Sequence, residues 1–178
     1  LADSEGAAGL AQTAGVLGAA LLSLPLARLA MSRGRRAALS LGFGIGAVGG
    51  LVVIVASIAH SLWLLLLGCL LVGVASAATF QSRYAATDLA EDHQRARALS
   101  WVVWAGTIGA VLGPNLLNIS GKLGTALGLE PLAGPYVITA ATLGLAVLIL
   151  LLFLRPDPYL VAVHRRAADG IARAKPRV

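Results

Sequence analysis

The stretch that decides the fold is Ser32-Arg33-Gly34-Arg35-Arg36, a basic turn with a long apolar run on either side. From about Gly6 to Met31 the only charge is Arg28, and from Ala37 to Ala59 there is none. Each run exceeds the roughly 20 apolar residues needed to cross a bilayer as a helix. The basic turn is therefore a tight hinge at a membrane surface. Arginines beside a span are retained on the cytoplasmic side, so the hinge also orients the chain, with its start outside.

The composition agrees. Of 178 residues, 58% are hydrophobic and 12% charged, too little polar surface to cover a soluble globule. The apolar runs are continuous rather than short and alternating, which selects helices over an outer-membrane barrel. The fold class is thus all-α integral membrane, with no room for a second, soluble domain. The net charge of +6 arises from bases at membrane edges, so topology explains it and nucleic acid is not an expected partner. The lone Cys69 lies inside an apolar run and reads as a packing residue. The chain begins at Leu1 and its single methionine is Met31, so it is expected to be either a processed product or a piece of something longer; the acidic start does not read as a signal peptide.

Outward from the hinge, five spans are expected at about 7–31, 37–59, 62–84, 98–120 and 134–154. Pro25 should bend the first by removing an N–H near its hinge end. In the second, Gly42, Gly46 and Gly50 recur every four residues and form a groove for a neighbouring backbone. Gly44, Gly46 and Gly49 lack the strand and turn of a dinucleotide fingerprint. His60 and Trp63 mark an outer turn, and the histidine reads as solvated and interfacial. The second hinge-side connection runs from Asp88 to Arg97 and includes Glu91 and Asp92. Trp101 and Trp104 anchor the next helix at that surface.

Gly106, Gly109 and Gly113-Pro114 give the fourth span a small face and an outer kink. A connection over 121–134 leads to an almost wholly aliphatic, lipid-facing fifth span. Arg155-Pro156-Asp157-Pro158 ends it, and residues 159–178 form a basic, weakly amphipathic tail on the cytoplasmic surface. Every lysine and arginine except Lys122 falls on the hinge side. Such asymmetry places residue 1 outside and residue 178 in the cytoplasm of a multi-pass plasma (bacterial inner) membrane protein.

The hinge also carries a likeness to a family. The chain resembles the major facilitator superfamily of secondary transporters, as helices 2 to 6 of the N-terminal six-helix half followed by the start of the central loop. In that family's signature between helices 2 and 3, Gly34, Arg35 and Arg36 match, with Arg33 beside them. Ala27, Met31 and Ser32 stand where a glycine, an aspartate and an arginine are usual. The resemblance implies that the usual aspartate latch is lost and that Arg28, Arg33 or Arg83 pairing with Asp88 substitutes for it. Gly109, Gly113 and Pro114, extended by Gly106, are similar to the exporters' helix 5 signature. Cys69 occupies the place of the helix 4 arginine linked to proton coupling, with Gly73 retained.

The implied function is secondary transport by alternating access. The partners are a small-molecule substrate, coupled protons, the lipid bilayer, and helix 1 and the C-terminal half of the same polypeptide. Candidate cavity or gating residues are Gln12, Gln81, Ser82, Arg83, Asp88, Thr107 and Asn115. No acidic residue lies in the middle of a span, so the cavity suits an amphipathic or drug-like solute, and with the helix 5 signature this points to efflux. No catalytic residue, metal site or cofactor is expected: His60 and Ser120 both sit at the outer rim, where they cannot form an intramembrane hydrolase centre. The alternatives are a non-transporting membrane scaffold or sensor, and an uptake carrier for a small metabolite.

Overall fold

The computed structural model describes residues 5–88, 90 and 93–164. Its helices are α1 (Glu5–Arg33), α2 (Arg35–Ile58), α3 (Leu62–Thr87), α4 (Arg95–Asn115), α5 (Leu117–Ala126) and α6 (Gly134–Phe153), with a short 3-10 turn at Pro131–Ala133 before α6. Among the described residues there is no strand. Five helical segments are long and apolar enough to cross a membrane. Glu91, Asp92 and the tail beyond His164 lie outside the described residues.

The hinge is a single residue. Gly34 takes φ 92 and ψ 167, a conformation open to glycine, and its N–H closes α1 on the carbonyl of Ala30 at 3.1 Å. At the opposite end the chain reverses through His60, whose φ of 49° lies in the left-handed region. Ser61 then caps α3 by accepting from the N–H of Leu64.

Small residues let α2 lie flat between two neighbours. Gly42 and Gly46 face Ala78 and Ala75 of α3, Gly49 meets Gly68 and Val72, and Gly50 faces Tyr136 and Ala140 of α6. The four-residue spacing read from the sequence therefore serves two partners. Helices α1 and α3 approach more closely still: a Cβ on Gly73 would overlap the carbonyl of Gly15, and one on Gly18 the carbonyl of Leu70. Leu26, Val74 and Ala77 form the buried centre of this packing, with Ala19, Leu22 and Ile45 around it.

One span differs from the sequence reading. The fourth span does not run unbroken from 98 to 120: α4 stops at Asn115, one residue beyond Pro114. A separate helix, α5, occupies much of what was read as span end and loop. Pro114 cannot donate to the ladder, and the N–H of Leu116 is shared between Leu112 and Gly113, which closes α4 there. Helix α5 is held to α6 by another small contact, since a Cβ on Gly134 would overlap the carbonyl of Ser120, itself 1% exposed. At the far-end turn His60 is exposed, as read from the sequence, and its Nδ1 lies 3.8 Å from Oε1 of Glu130.

Candidate functional site: a hinge-end node and a groove between α1 and α3

Four elements meet at the hinge end around Arg35. Its Nε donates to Oδ2 of Asp88 at 2.8 Å and its Nη1 to Oε1 of Gln81 at 2.9 Å. The guanidinium also lies over the rings of Tyr84 and Tyr159, 5.7 and 5.6 Å from their centroids. Gln81, Tyr84 and Asp88 share one face of α3 because they are spaced three and four residues apart. The side chains of the ion pair are only 13% and 19% exposed, so the pair is shielded from water and bulk salt.

Asp88 is therefore held by Arg35, not by Arg28, Arg33 or Arg83 as expected. The turn at Gly34 puts Arg35 at the first position of α2, on the side that faces α3. Arg83 instead lies over the ring of Phe80, 5.3 Å from its centroid.

A second carboxylate completes the node and escaped the sequence reading. Asp157 accepts the backbone N–H of Arg35 on Oδ1 at 3.1 Å and that of Arg36 on Oδ2 at 2.7 Å. It thus caps α2 from a distant part of the chain, placing negative charge where the helix dipole is positive. The same Oδ1 accepts from Tyr159 and Leu160 at the start of the helical residues 158–164. Arg36 extends over α6 and donates from Nη2 to the carbonyl of Leu151 at 2.7 Å. Two carboxylates and two arginines thereby tie α2, α3, α6 and the segment after α6 together. The sequence signal available was the polar break Arg155-Pro156-Asp157-Pro158, which reads equally well as an ordinary span terminus.

The remaining candidates separate into groups. Gln12 lines a cavity of about 640 Å³ between α1 and α3 with Gly15, Val16, Cys69, Ser76 and Phe80. Nearer the hinge, Val16, Ala19, Ser23, Phe80, Gln81 and Tyr84 line a groove of about 350 Å³. The two share Val16, Ala19 and Phe80, so they form one continuous trough. Cys69 and Tyr136 both line the wall of the upper cavity.

Gln81 is 9% exposed and its carbonyl is engaged by Arg35, so it belongs to the node more than to the trough. Ser82 donates to the carbonyl of Thr79 at 2.7 Å, which turns its hydroxyl onto its own helix. Thr107 and Asn115 likewise donate to Val103 and Val111 within α4. A Cβ added to Gly106, Gly109 or Gly113 would meet nothing within 4 Å among the described residues, and no residue of α4 is buried. The small face of α4 is therefore open in this chain.

Comparison with known proteins decides the family. The Major Facilitator Superfamily profile matches residues 1–176. The chain belongs to this superfamily. It is 43% identical over 162 residues to the uncharacterized MFS-type transporter YdeG of Bacillus subtilis (strain 168), covering 91% of this chain and 38% of that protein. It is 42% identical over 159 residues to the uncharacterized MFS-type transporter YddS of the same organism, covering 89% and 36%. The riboflavin transporter RfnT of Brucella anthropi is 39% identical over 101 residues, which cover 57% of this chain and 25% of that protein. This superfamily chain thus spans well under half the length of the curated relatives it matches. No solved structure matches it significantly. Family and spans together make it a multi-pass membrane protein of this superfamily.

Proposed function

We propose that the whole protein is a secondary active transporter that exports small amphipathic solutes by alternating access, and that this chain supplies helices 2 to 6 of its N-terminal half. The hinge end is cytoplasmic and the His60 turn faces outside, in a bacterial plasma membrane. The carrying observation is the trough between α1 and α3. Its walls are apolar and aromatic, Gln12, Ser23, Ser76 and Gln81 supply uncharged polar groups, and among the described residues no carboxylate lines it. A surface with so few polar partners discriminates weakly among polar solutes and rewards burial of apolar area. With no ionisable carboxylate inside these spans, the proton-carrying acid belongs to helix 1 or the C-terminal half.

The test is transport by the full-length protein in inside-out membrane vesicles given a proton gradient, with fluorescent amphipathic dyes as solutes. Gradient-dependent dye uptake that collapses with an uncoupler supports export. No flux across a broad panel would favour a scaffold, and flux in the opposite sense would favour an uptake carrier. The riboflavin transporter among the relatives supports a second reading, a carrier for a heteroaromatic metabolite; competition of dye transport by riboflavin separates the two.

A further inference from the structure

Phe80 and Tyr84 stand one helical turn apart on α3, both exposed, at 58% and 60%, and both line the trough. Phe80 also lines the upper cavity, so it sits where the two parts join. Each ring carries a guanidinium against it, Arg83 over Phe80 and Arg35 over Tyr84. Arg35 is neutralised by Asp88, and Arg83 sits in an exposed stretch of α3. Among the described residues no acidic side chain lines the trough.

Resting on the transporter reading above, we propose that Phe80 and Tyr84 form a stacking strip that selects planar aromatic solutes which are neutral or anionic, and that Arg83 sets this charge preference. A ring with a cation on one face has the other face free to stack, and aromatic pairs gain beyond simple area burial. A cationic solute stacked on the free face lies across the Phe80 ring from the Arg83 guanidinium, with no carboxylate among the described lining residues to compensate, and like charges in a low-dielectric groove repel. An anionic substituent is instead drawn toward that guanidinium. Gln12 and Ser76, farther along the trough, present an amide and a hydroxyl to a polar edge of the same solute.

The experiment uses full-length transporter in lipid nanodiscs and three probes with the same ring: 9-anthracenecarboxylate, 9-anthracenemethanol and 9-(aminomethyl)anthracene, at pH 7, with binding read from anthracene fluorescence. Wild type should bind the carboxylate and the alcohol about tenfold or more tighter than the ammonium. Phe80→Leu should weaken all three by about three- to tenfold, and Phe80→Trp should restore them. Arg83→Gln should remove the penalty on the ammonium relative to the carboxylate and the alcohol. Because Arg83 is exposed, that variant reports independently should Phe80→Leu fail to give folded protein. Tightest binding of the ammonium, or unchanged binding by folded Phe80→Leu, overturns the strip. Should flux of other solutes persist in that case, the transporter reading survives; absence of any flux by wild type defeats that reading instead.

Discussion

Replacing Gly34 by alanine tests the hinge-end node directly, because two separate costs fall on one methyl group. The first is backbone strain: φ 92 with ψ 167 is a region that side chains avoid, costing about 1–3 kcal/mol. The second is steric, since a Cβ at position 34 would overlap the carboxylate of Asp157 and push it off the N–H groups of Arg35 and Arg36. Losing that cap costs about 0.5–2 kcal/mol, which is also the expected cost of Asp157→Ala alone. Asp157→Asn keeps one acceptor oxygen and should fall between wild type and alanine. In the double variant the cap is lost only once. The combined cost should therefore be smaller than the sum of the single costs by about 1 kcal/mol. Reversible unfolding of the purified full-length protein in mixed micelles measures all of these proteins on one scale. Strict additivity, or a Gly34→Ala cost no larger than that of Asp157→Ala, would refute the geometry of the cap.

Other perturbations separate the remaining contacts. Asp88→Asn should cost about 1.5–3 kcal/mol in the same assay, since it weakens a charge-assisted bond shielded from water. Arg35→Lys should cost a similar amount, because an ammonium cannot reach Asp88 and Gln81 as a planar fork while lying between two tyrosines. Gly73→Val should prevent the approach of α1 to α3 and leave no folded protein in the membrane, whereas Gly44→Ala, whose nearest neighbour is the tip of Val147 at 4.0 Å, should fold normally. Gly113→Leu should abolish flux by the full-length protein without loss of inserted protein, while Leu148→Val should leave flux unchanged; equal flux by the two would count against a helix contact at Gly113.

Much of the architecture was legible because bilayer crossing writes itself as long apolar runs with basic borders, and the hinge at Ser32–Arg36 is the clearest such border. The glycine face of α2 could be read from its spacing, but its division between α3 and α6 could not, since periodicity gives a face and not the number of helices that share it. Asp88 was recognisable as a latch partner. Its correct arginine was not, because choosing among Arg28, Arg33, Arg35 and Arg83 depends on the direction in which one left-handed glycine starts the next helix. Asp157 was harder still: it is 122 residues from Arg35 in sequence, and a carboxylate between two prolines looks like a span terminus. The end of α4 was hidden because Leu116, Leu117 and Ile119 keep the run apolar across the break, so hydropathy continues where the hydrogen-bond ladder stops.

The glycines show how one residue type serves two mechanical purposes. Those at the crossings of α1, α2 and α3 are filled: Gly73 against Gly15, Gly18 against Leu70, and Gly42 and Gly46 against alanines, contacts in which a methyl group on Gly73, Gly18, Gly42 or Gly46 would force a shift, while Gly9 and Gly44 have room. Helices packed so closely move as one body, because interfaces of that density have no intermediate positions to pass through. The Arg35 node adds charged bonds to the same body at its hinge end. The glycines of α4 are spaced in the same way, yet meet nothing among the described residues. On the alternating-access reading proposed above, a smooth and small face of this kind suits a moving interface between halves, since it lets backbones approach without long side chains to interlock. That reading asks for rigidity in α1, α2, α3 and α6 and freedom along α4. Bulk added to α4 should accordingly change rates of turnover before it changes stability, while bulk added to the α1–α3 crossing should do the reverse.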